Sequence, residues 1–82
     1  MRATVLVRPK QGILDPQGEA VGSSLRQLGF AVAEARVGRL VDVEVEVDGD
    51  DPAAAREQLE RMCEQLLTNP LIESYEIELP AG

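Results

Sequence analysis

Hydrophobic and polar residues alternate along several stretches of this chain with the period-2 spacing of β-strands. Residues 2–8 place Ala3, Val5 and Val7 on one face, and Pro9 is expected to end the strand. The clearest alternation runs through residues 40–48, where valines at 41, 43, 45 and 47 are separated by acidic residues. Both stretches are typical of strands with one buried face and one solvent-exposed face.

Two further strands are predicted from the same pattern. Residues 30–37 precede the valine strand and are separated from it by Gly38 and Arg39, so the pair is interpreted as a β-hairpin. Keeping the alanines at 31, 33 and 35 on the face of the valines requires a loop with an odd number of residues. Residues 71–79 form the last predicted strand, with Glu73 as the exception on its apolar face.

Apolar residues recur at helical spacing in the two remaining segments. Asp15 followed by Pro16 marks the start of the first helix, and Gly29 supplies its end. The Asp51–Pro52 pair repeats the start signal for the second helix. Its apolar stripe is formed by Ala55, Leu59, Met62, Cys63, Leu66 and Leu67.

The element order is therefore βαββαβ, which predicts one α+β domain over residues 1–82 with a ferredoxin-like fold. Two right-handed crossovers place the four antiparallel strands in the order 4-1-3-2, with both helices on the valine and alanine face. The opposite face is expected to carry several apolar residues beside the acidic rows, which suggests contact with another chain. These residues are Leu6, Phe30, Val32, Leu40 and Ile72.

The size of the chain points in the same direction. A chain of 82 residues buries only about 60 to 65% of its unfolded surface, and such small folds are commonly stabilised by disulfides, a metal or a partner chain. Cys63 is the only cysteine and there is no histidine, which excludes an internal disulfide and the usual Cys/His zinc sites. A partner chain is the supplement that remains.

The charge excludes other partners. The net charge of −7, from 15 acidic and 8 basic residues, opposes the phosphate neutralisation that nucleic-acid binding needs. No stretch approaches the roughly 18 apolar residues of a membrane span, and the N-terminal segment lacks the apolar region of a signal peptide. We therefore expect neither nucleic-acid nor membrane binding, and a cytoplasmic location.

The sequence assembles no catalytic or metal site. General acid–base catalysis most often uses histidine, which is absent, and the acidic rows of the strands are interpreted as a solvated face. Cys63 lies among leucines and a methionine, where a core position is expected rather than a nucleophile.

One loop contains more polar residues and glycines than a turn requires. In "KQGILDPQG", residues 10–18, a β-to-α connection accounts for residues 12–16. It does not account for Lys10, Gln11, Gln17 or Gly18. Gly18 in particular needs a reason, because a glycine in the first helical turn costs up to about 1 kcal/mol against alanine. Free N–H groups at the helix start and the Lys10 charge predict docking of an anion or of a partner's carboxylate. Arg36 and Arg39, around Gly38, form the other basic feature, either solvated or paired with an acidic partner.

An ordered set of segments resembles the PurS family over residues 3–79. The segments are "KQGILDPQGEAV", "LGF", "ARVGRLVDVEV" and "CEQLLTNPLIESYEIEL". PurS is the small subunit of phosphoribosylformylglycinamidine synthase where that enzyme is assembled from separate chains. The resemblance implies a purine-biosynthesis complex that converts formylglycinamide ribonucleotide to the amidine, using ATP with magnesium, and ammonia released from glutamine.

The resemblance also implies the role of this chain. A synthetase large subunit carries the ATP chemistry and a glutaminase subunit makes the ammonia, whereas the small subunit has no active site and no cofactor. It self-associates, as a homodimer or homotetramer, and bridges the other two chains, where it either helps ammonia to pass between them or only holds the assembly together. By resemblance, the partner-docking residues are Lys10, Gly12, Asp15, Gln17, Gly18, Arg36, Arg39 and Asn69. Lys10, Asp15 and Gln17 are expected to contact the large subunit, with Gly12 and Gly18 allowing close approach.

Two other functions compete with this interpretation. A ligand-binding regulatory module of the ferredoxin-like type would use the loop glycines at a subunit junction, and it predicts that a small ligand stabilises the isolated chain. A small hydrolase such as an acylphosphatase would need an arginine-bearing phosphate loop after the first strand, and "PKQGILDP" contains no arginine.

Overall fold

A computed structural model describes residues 1–80 of the chain. In this range the elements follow the order β1 (Arg2–Pro9), α1 (Pro16–Gln27), β2 (Arg39–Glu44), a 3₁₀ turn (Asp48–Asp50), α2 (Pro52–Met62) and β3 (Glu73–Glu78). A π-helical turn, Cys63–Leu67, continues α2. The α+β class, with two helices and an antiparallel sheet, is confirmed.

Both helices begin at the predicted Asp-Pro pairs. The Asp15 carboxylate accepts a hydrogen bond from the Gly18 N–H, and the Asp51 carboxylate accepts one from the Ala53 N–H, each at 3.0 Å. These bonds satisfy N–H groups that a helix start otherwise leaves free. Gly29, at φ 97°, ends α1 as expected. Neither helix described in residues 1–80 is long and apolar enough to cross a bilayer.

The sheet of residues 1–80 is antiparallel, in the order β2-β1-β3. Val5 at its centre pairs with Val41 on one side and with Ile77 on the other, which gathers the odd-numbered apolar residues on one face. The acidic residues Asp42 and Glu44 are exposed on the other face, as the alternation predicts. The predicted valine strand over residues 40–48 is shorter than expected, because β2 ends at Glu44.

The core lies between this sheet and α2. Val5 and Val7 of β1 and Leu59 and Cys63 of the second helical segment are fully buried. Burial, reinforced by nearby acidic residues, raises the pKa of the Cys63 thiol, so the thiol stays protonated and unreactive. The predicted core position of Cys63 is confirmed.

The strand expected at residues 30–37 is not formed, so the sheet has three strands in residues 1–80 and not four. The residues that follow it form β2, which pairs with β1, its predicted neighbour, but does not form the predicted hairpin with residues 30–37. Long-range bonds turn residues 30–37 away from the sheet. The Val37 N–H donates to the Asp15 carboxylate at 2.8 Å, and the Arg36 guanidinium donates to the Pro9 carbonyl at 2.6 Å.

The expectation that both helices cover the sheet is also corrected, since only α2 packs on it. Helix α1 packs instead against residues 33–36, with Gly18 and Gly22 buried at the contact. The described chain is consequently elongated, with extents of 51 × 27 × 14 Å and a radius of gyration of 16.1 Å. A compact chain of this length would have a radius of gyration of about 12 Å.

Candidate functional site

The residues predicted to dock a partner converge at one end of the sheet. Three segments meet there: the loop 10–15 after β1, residues 36–39 before β2, and the turn 67–73 before β3. The Lys10 N–H donates to the Ile72 carbonyl at 2.8 Å, and the Lys10 ammonium donates to the Pro70 carbonyl at 2.6 Å. Lys10 therefore joins the first and third segments, and its charge is not free at the loop.

Asp15 joins the first segment to the second. Its two carboxylate oxygens accept hydrogen bonds from the N–H groups of Gly18, at 3.0 Å, and Val37, at 2.8 Å. These bonds lower the pKa of Asp15, and the bond from the Val37 N–H has the largest effect. The nearby Arg36 charge lowers the pKa further. Arg36 donates in turn to the carbonyl oxygens of Pro9 and Lys10. Both predicted docking side chains therefore hold backbone segments of their own chain.

Arg39 and Glu73 form the strongest ion pair of the site. Their side chains meet at 2.6 and 3.0 Å in a two-point contact, and Arg39 also donates to the Leu67 carbonyl. The pair lowers the pKa of Glu73 and raises that of Arg39. This contact explains why an acidic residue occupies the apolar face of β3.

Asn69 completes the same turn. Its backbone N–H donates to Glu73 at 2.7 Å, and its side-chain oxygen accepts from the Leu71 N–H at 3.2 Å. Because the amide oxygen is used within the turn, Asn69 shapes the chain path between the second helical segment and β3. Its predicted contact with a partner stays a prediction.

The glycines of the site have different roles. A Cβ at Gly18 would lie 2.4 Å from the Ala35 carbonyl oxygen, so the close approach predicted there is made by the chain itself. Gly12, at φ 79°, has nothing within 4 Å of a Cβ and is left open to solvent. Gly38 was not among the predicted docking residues, although a Cβ there would lie 2.1 Å from the Val7 carbonyl oxygen. Its position between the two basic residues was the available signal.

Gln17 and Leu14 are exposed beside a groove of about 250 Å³ at this end of the sheet. Apolar residues at 13, 14, 37 and 72 line the groove, and its polar lining consists of Asp15, Gln17, Arg39 and Glu73. Leu14 is 75% exposed, and Leu71 and Ile72 in the neighbouring turn are 83% and 41% exposed. Sequence reasoning selected Ile72, on the face expected to meet another chain, but not Leu14 or Leu71, because only the tertiary structure shows that Leu14 lies near Ile72 and that both leucines are uncovered.

The arrangement favours binding over catalysis. The carboxylates of Asp15 and Glu73 are ionised and already bonded, and the one thiol is buried in the core. Within residues 1–80, no group of three or more metal-ligating side chains of the His, Cys, Asp and Glu types comes together. What remains accessible is a groove with both apolar and polar walls beside the exposed Gln17 amide, which suits a protein side chain.

Comparison with known proteins gives one consistent result. Residues 2–81 match the family described as PurS, phosphoribosylformylglycinamidine (FGAM) synthase. A PurS subunit of this synthase from Synechocystis is 43% identical, covering 98% of this chain and 77% of the relative. The subunit from Methanocaldococcus jannaschii is 37% identical over 95% of this chain and 93% of its own length.

Solved structures agree with the sequence comparison. The crystal structure of Methanocaldococcus jannaschii PurS matches with a TM-score of 0.80 at 36% identity, covering 94% of this chain and 92% of that one. A chain of the PurLQS structure from Thermotoga maritima matches with a TM-score of 0.83 at 32% identity, covering 94% of this chain and 93% of that one.

Proposed function

The chain belongs to the PurS family of phosphoribosylformylglycinamidine synthase subunits, and we propose that it acts as the non-catalytic subunit that bridges the synthetase and glutaminase chains. As a member of this family it is a subunit of a glutamine-dependent ligase complex of purine biosynthesis. The observation that carries the proposal is the match over residues 2–81, almost the whole chain, together with the similarity to a chain of a PurLQS assembly.

The internal bonding of the polar residues supports a non-catalytic role. Asp15, Arg36, Arg39 and Glu73 each hold a backbone segment or each other, so their charged groups are engaged within the chain. In this proposal they build a rigid end of the sheet on which a partner docks. The reacting groups, with ATP and magnesium, belong to the synthetase chain, and this chain holds no cofactor.

The exposed residues around the groove provide the partner-docking surface, which we define as Leu14, Gln17, Leu71 and Ile72. Three of the four are large apolar side chains whose exposure to water is unfavourable. Gln17 offers an amide group for a directional hydrogen bond. We assign this surface to a loop of the synthetase chain that inserts an apolar side chain into the groove. Lys10 and Asn69 contribute by shaping the turn beneath it.

The remaining parts of the proposal concern assembly and location. The chain self-associates, and the four-stranded ferredoxin-like sheet is reached in the associated form. A complex of purine biosynthesis assembled from such chains works in the cytoplasm.

Reconstitution of the synthase tests the bridging role. The purified synthetase and glutaminase chains are assayed with and without this chain, using either glutamine or free ammonia as the nitrogen source. A bridge is needed only when ammonia must pass between chains, so we expect its omission to remove glutamine-dependent activity and to leave ammonia-dependent activity. Equal glutamine-dependent activity in both reconstitutions contradicts the proposal.

Substitution of exposed residues tests the docking surface. Leu14→Ala and Gln17→Ala are expected to leave folding stability within about 0.5 kcal/mol, because both side chains are exposed. Each is expected to weaken complex formation by about 1 to 2 kcal/mol, roughly fivefold to thirtyfold. Gln27→Ala, at the other end of α1, is the matched control. Affinities indistinguishable from the control, measured by calorimetric titration with the synthetase chain, exclude this surface.

A further inference from the structure

A second cavity lies on the face of the sheet opposite to α2, away from the partner-docking surface. We call it the open-face pocket, and it is lined by Leu6, Arg8, Arg36 and Leu40 among others. Leu6 and Leu40 are direct neighbours across β1 and β2, and as even-numbered strand residues they face away from the core. The volume of about 420 Å³ is within the usual range of small-molecule sites, roughly 300 to 1,000 Å³.

Positive charge is concentrated around the open-face pocket. The chain has seven arginines and a net charge of −7, and three of those arginines, at positions 8, 36 and 39, line this one cavity. A guanidinium group presents a planar set of N–H donors that recognises phosphate and carboxylate groups. The pocket therefore has the local charge to attract an anion, although the chain as a whole is acidic.

Arg36 is held in position and still has unused donors. Its Nη2 donates to the carbonyl oxygens of Pro9 and Lys10, which fixes the guanidinium against the backbone. Its Nε lies 3.8 Å from a carboxylate oxygen of Glu34, beyond hydrogen-bond distance, and its Nη1 has no partner within residues 1–80. Since every fully buried side-chain nitrogen or oxygen in that range has a partner, Nη1 is open to solvent.

Arg8 supplies a second guanidinium that is easily released. It makes a single contact of 3.2 Å with Glu76, and both side chains are 62% exposed. Exposed pairs of this kind are weak, so Arg8 can exchange Glu76 for a ligand. Arg39, by contrast, is held by the two-point contact with Glu73 and stays a wall of the pocket.

We propose that the open-face pocket binds a phosphate monoester, with the phosphate between Arg8 and Arg36 and the organic body on Leu6 and Leu40. A phosphate monoester carries a charge of about −1.5 to −2 at pH 7 and three acceptor oxygens, which match two guanidinium groups better than a carboxylate does. Leu40 is 58% exposed, and an organic body lying over it removes apolar surface from water. This inference goes beyond the proposed function and does not depend on it.

Titration of the full chain with phenyl phosphate, followed by ¹H–¹⁵N nuclear magnetic resonance at constant ionic strength, tests the site. We expect saturable shifts of the amide signals of residues 6–8 and 36–40. Inorganic phosphate lacks the apolar body and benzoate has a single charge, so each is expected to bind at least about fivefold more weakly. Shifts confined to another region, such as the start of α1, or no saturable shift at all, overturn the proposal. Equal affinity for benzoate overturns the assignment to phosphate.

Charge substitutions of opposite sign separate a specific site from general attraction. Arg8→Gln is expected to weaken phenyl phosphate binding by about fivefold or more, and Glu76→Gln, which frees Arg8, to strengthen it by about twofold to fivefold. Arg2→Gln and Glu44→Gln make the same charge changes in an exposed 3.8 Å pair and are the matched controls. That pair lies about 20 Å away along the strand, further than exposed charges act at physiological salt, so its effects should stay within about twofold. Equal effects of the two pairs contradict the site.

The apolar part of the pocket is tested separately. Leu40→Ala is expected to remove most of the advantage of phenyl phosphate over inorganic phosphate and to leave the affinity for inorganic phosphate unchanged. An unchanged ratio of the two affinities contradicts the placement of the organic body. None of these measurements uses the synthetase or glutaminase chain, so their failure removes the phosphate site and leaves the bridging role as it stands.

Discussion

Replacing Gly18 with alanine is expected to destabilise the fold, whereas the same change at Gly22, one helical turn later, is expected to stabilise it. Both glycines are buried in α1 and face the same neighbouring segment. They differ in the space available for a Cβ. Comparing the two substitutions therefore separates the effect of close packing on stability from the general destabilising effect of a glycine within a helix.

The geometry gives the sign and size of each effect. A Cβ on Gly18 would lie 2.4 Å from the Ala35 carbonyl oxygen and 2.9 Å from the Arg36 Cα, and neither backbone atom can rotate away. The required separation costs about 1 to 3 kcal/mol and pulls Val37 from the Asp15 carboxylate. Alanine regains up to about 1 kcal/mol of helix propensity, which leaves a net loss of up to about 2 kcal/mol.

Gly22 has room for the added methyl group. Its nearest neighbours would be the Arg26 guanidinium at 3.4 Å and the Ala35 Cβ at 3.6 Å, which are ordinary contact distances. Without a clash, the gain in helix propensity dominates, and Gly22→Ala is expected to stabilise the chain by up to about 1 kcal/mol.

Urea unfolding followed by circular dichroism measures both variants, at one protein concentration because self-association adds to apparent stability. For a domain of this size, each kcal/mol also shifts Tm by about 4 to 8 °C. Stabilisation by Gly18→Ala equal to that by Gly22→Ala would refute the packing argument. The glycine at position 18 would then need a role outside its own chain.

Three further predictions follow from the same contacts. Gly38→Ala is expected to lower the unfolding free energy by about 1 to 3 kcal/mol in urea titrations, because its Cβ would lie 2.1 Å from the Val7 carbonyl oxygen; unchanged stability excludes this contact. Since two backbone N–H groups lower the pKa of Asp15 from 3.8, its contribution is complete above about pH 4 and is lost as the pH falls through the lowered value. The acid loss of stability should be smaller in Asp15→Asn, and an identical pH profile contradicts the assignment. Leu59→Ala, at a fully buried position, is expected to cost about 2 to 5 kcal/mol in thermal unfolding, whereas Leu66→Ala, at 83% exposure, should stay within about 0.5 kcal/mol.

The candidate site shows how much of a binding site can be predicted from residue types alone. The sequence identified Lys10, Asp15, Gly18, Arg36 and Arg39 as residues with more than local importance, and the structure brings all five to one end of the sheet. Their roles were not predictable, because a carboxylate that accepts hydrogen bonds from its own backbone and one that binds a partner can have the same sequence pattern. The exposed Leu14 was missed for the same reason, since its exposure depends on what the rest of the chain fails to cover.

Local chemistry determined the elements of this protein. The alternation along residues 2–8 and the valines of β2 define strands because side chains on successive strand residues point to opposite faces. The Asp-Pro pairs and Gly29 define helix ends because they satisfy or terminate the backbone at those positions. Such signals act within a few residues, and the structure confirms both helix starts and three strands.

Pairing was decided only by the tertiary structure. A strand at residues 30–37 that folds back on β2 and one that leaves the sheet have the same period-2 pattern, so the sequence could not separate them. Bonds across the chain made the choice: Asp15 to Val37, Arg36 to the Pro9 carbonyl, and Gly38 against Val7. These contacts join residues far apart in the chain, and they form only when β1, the loop after it and the start of β2 already stand together.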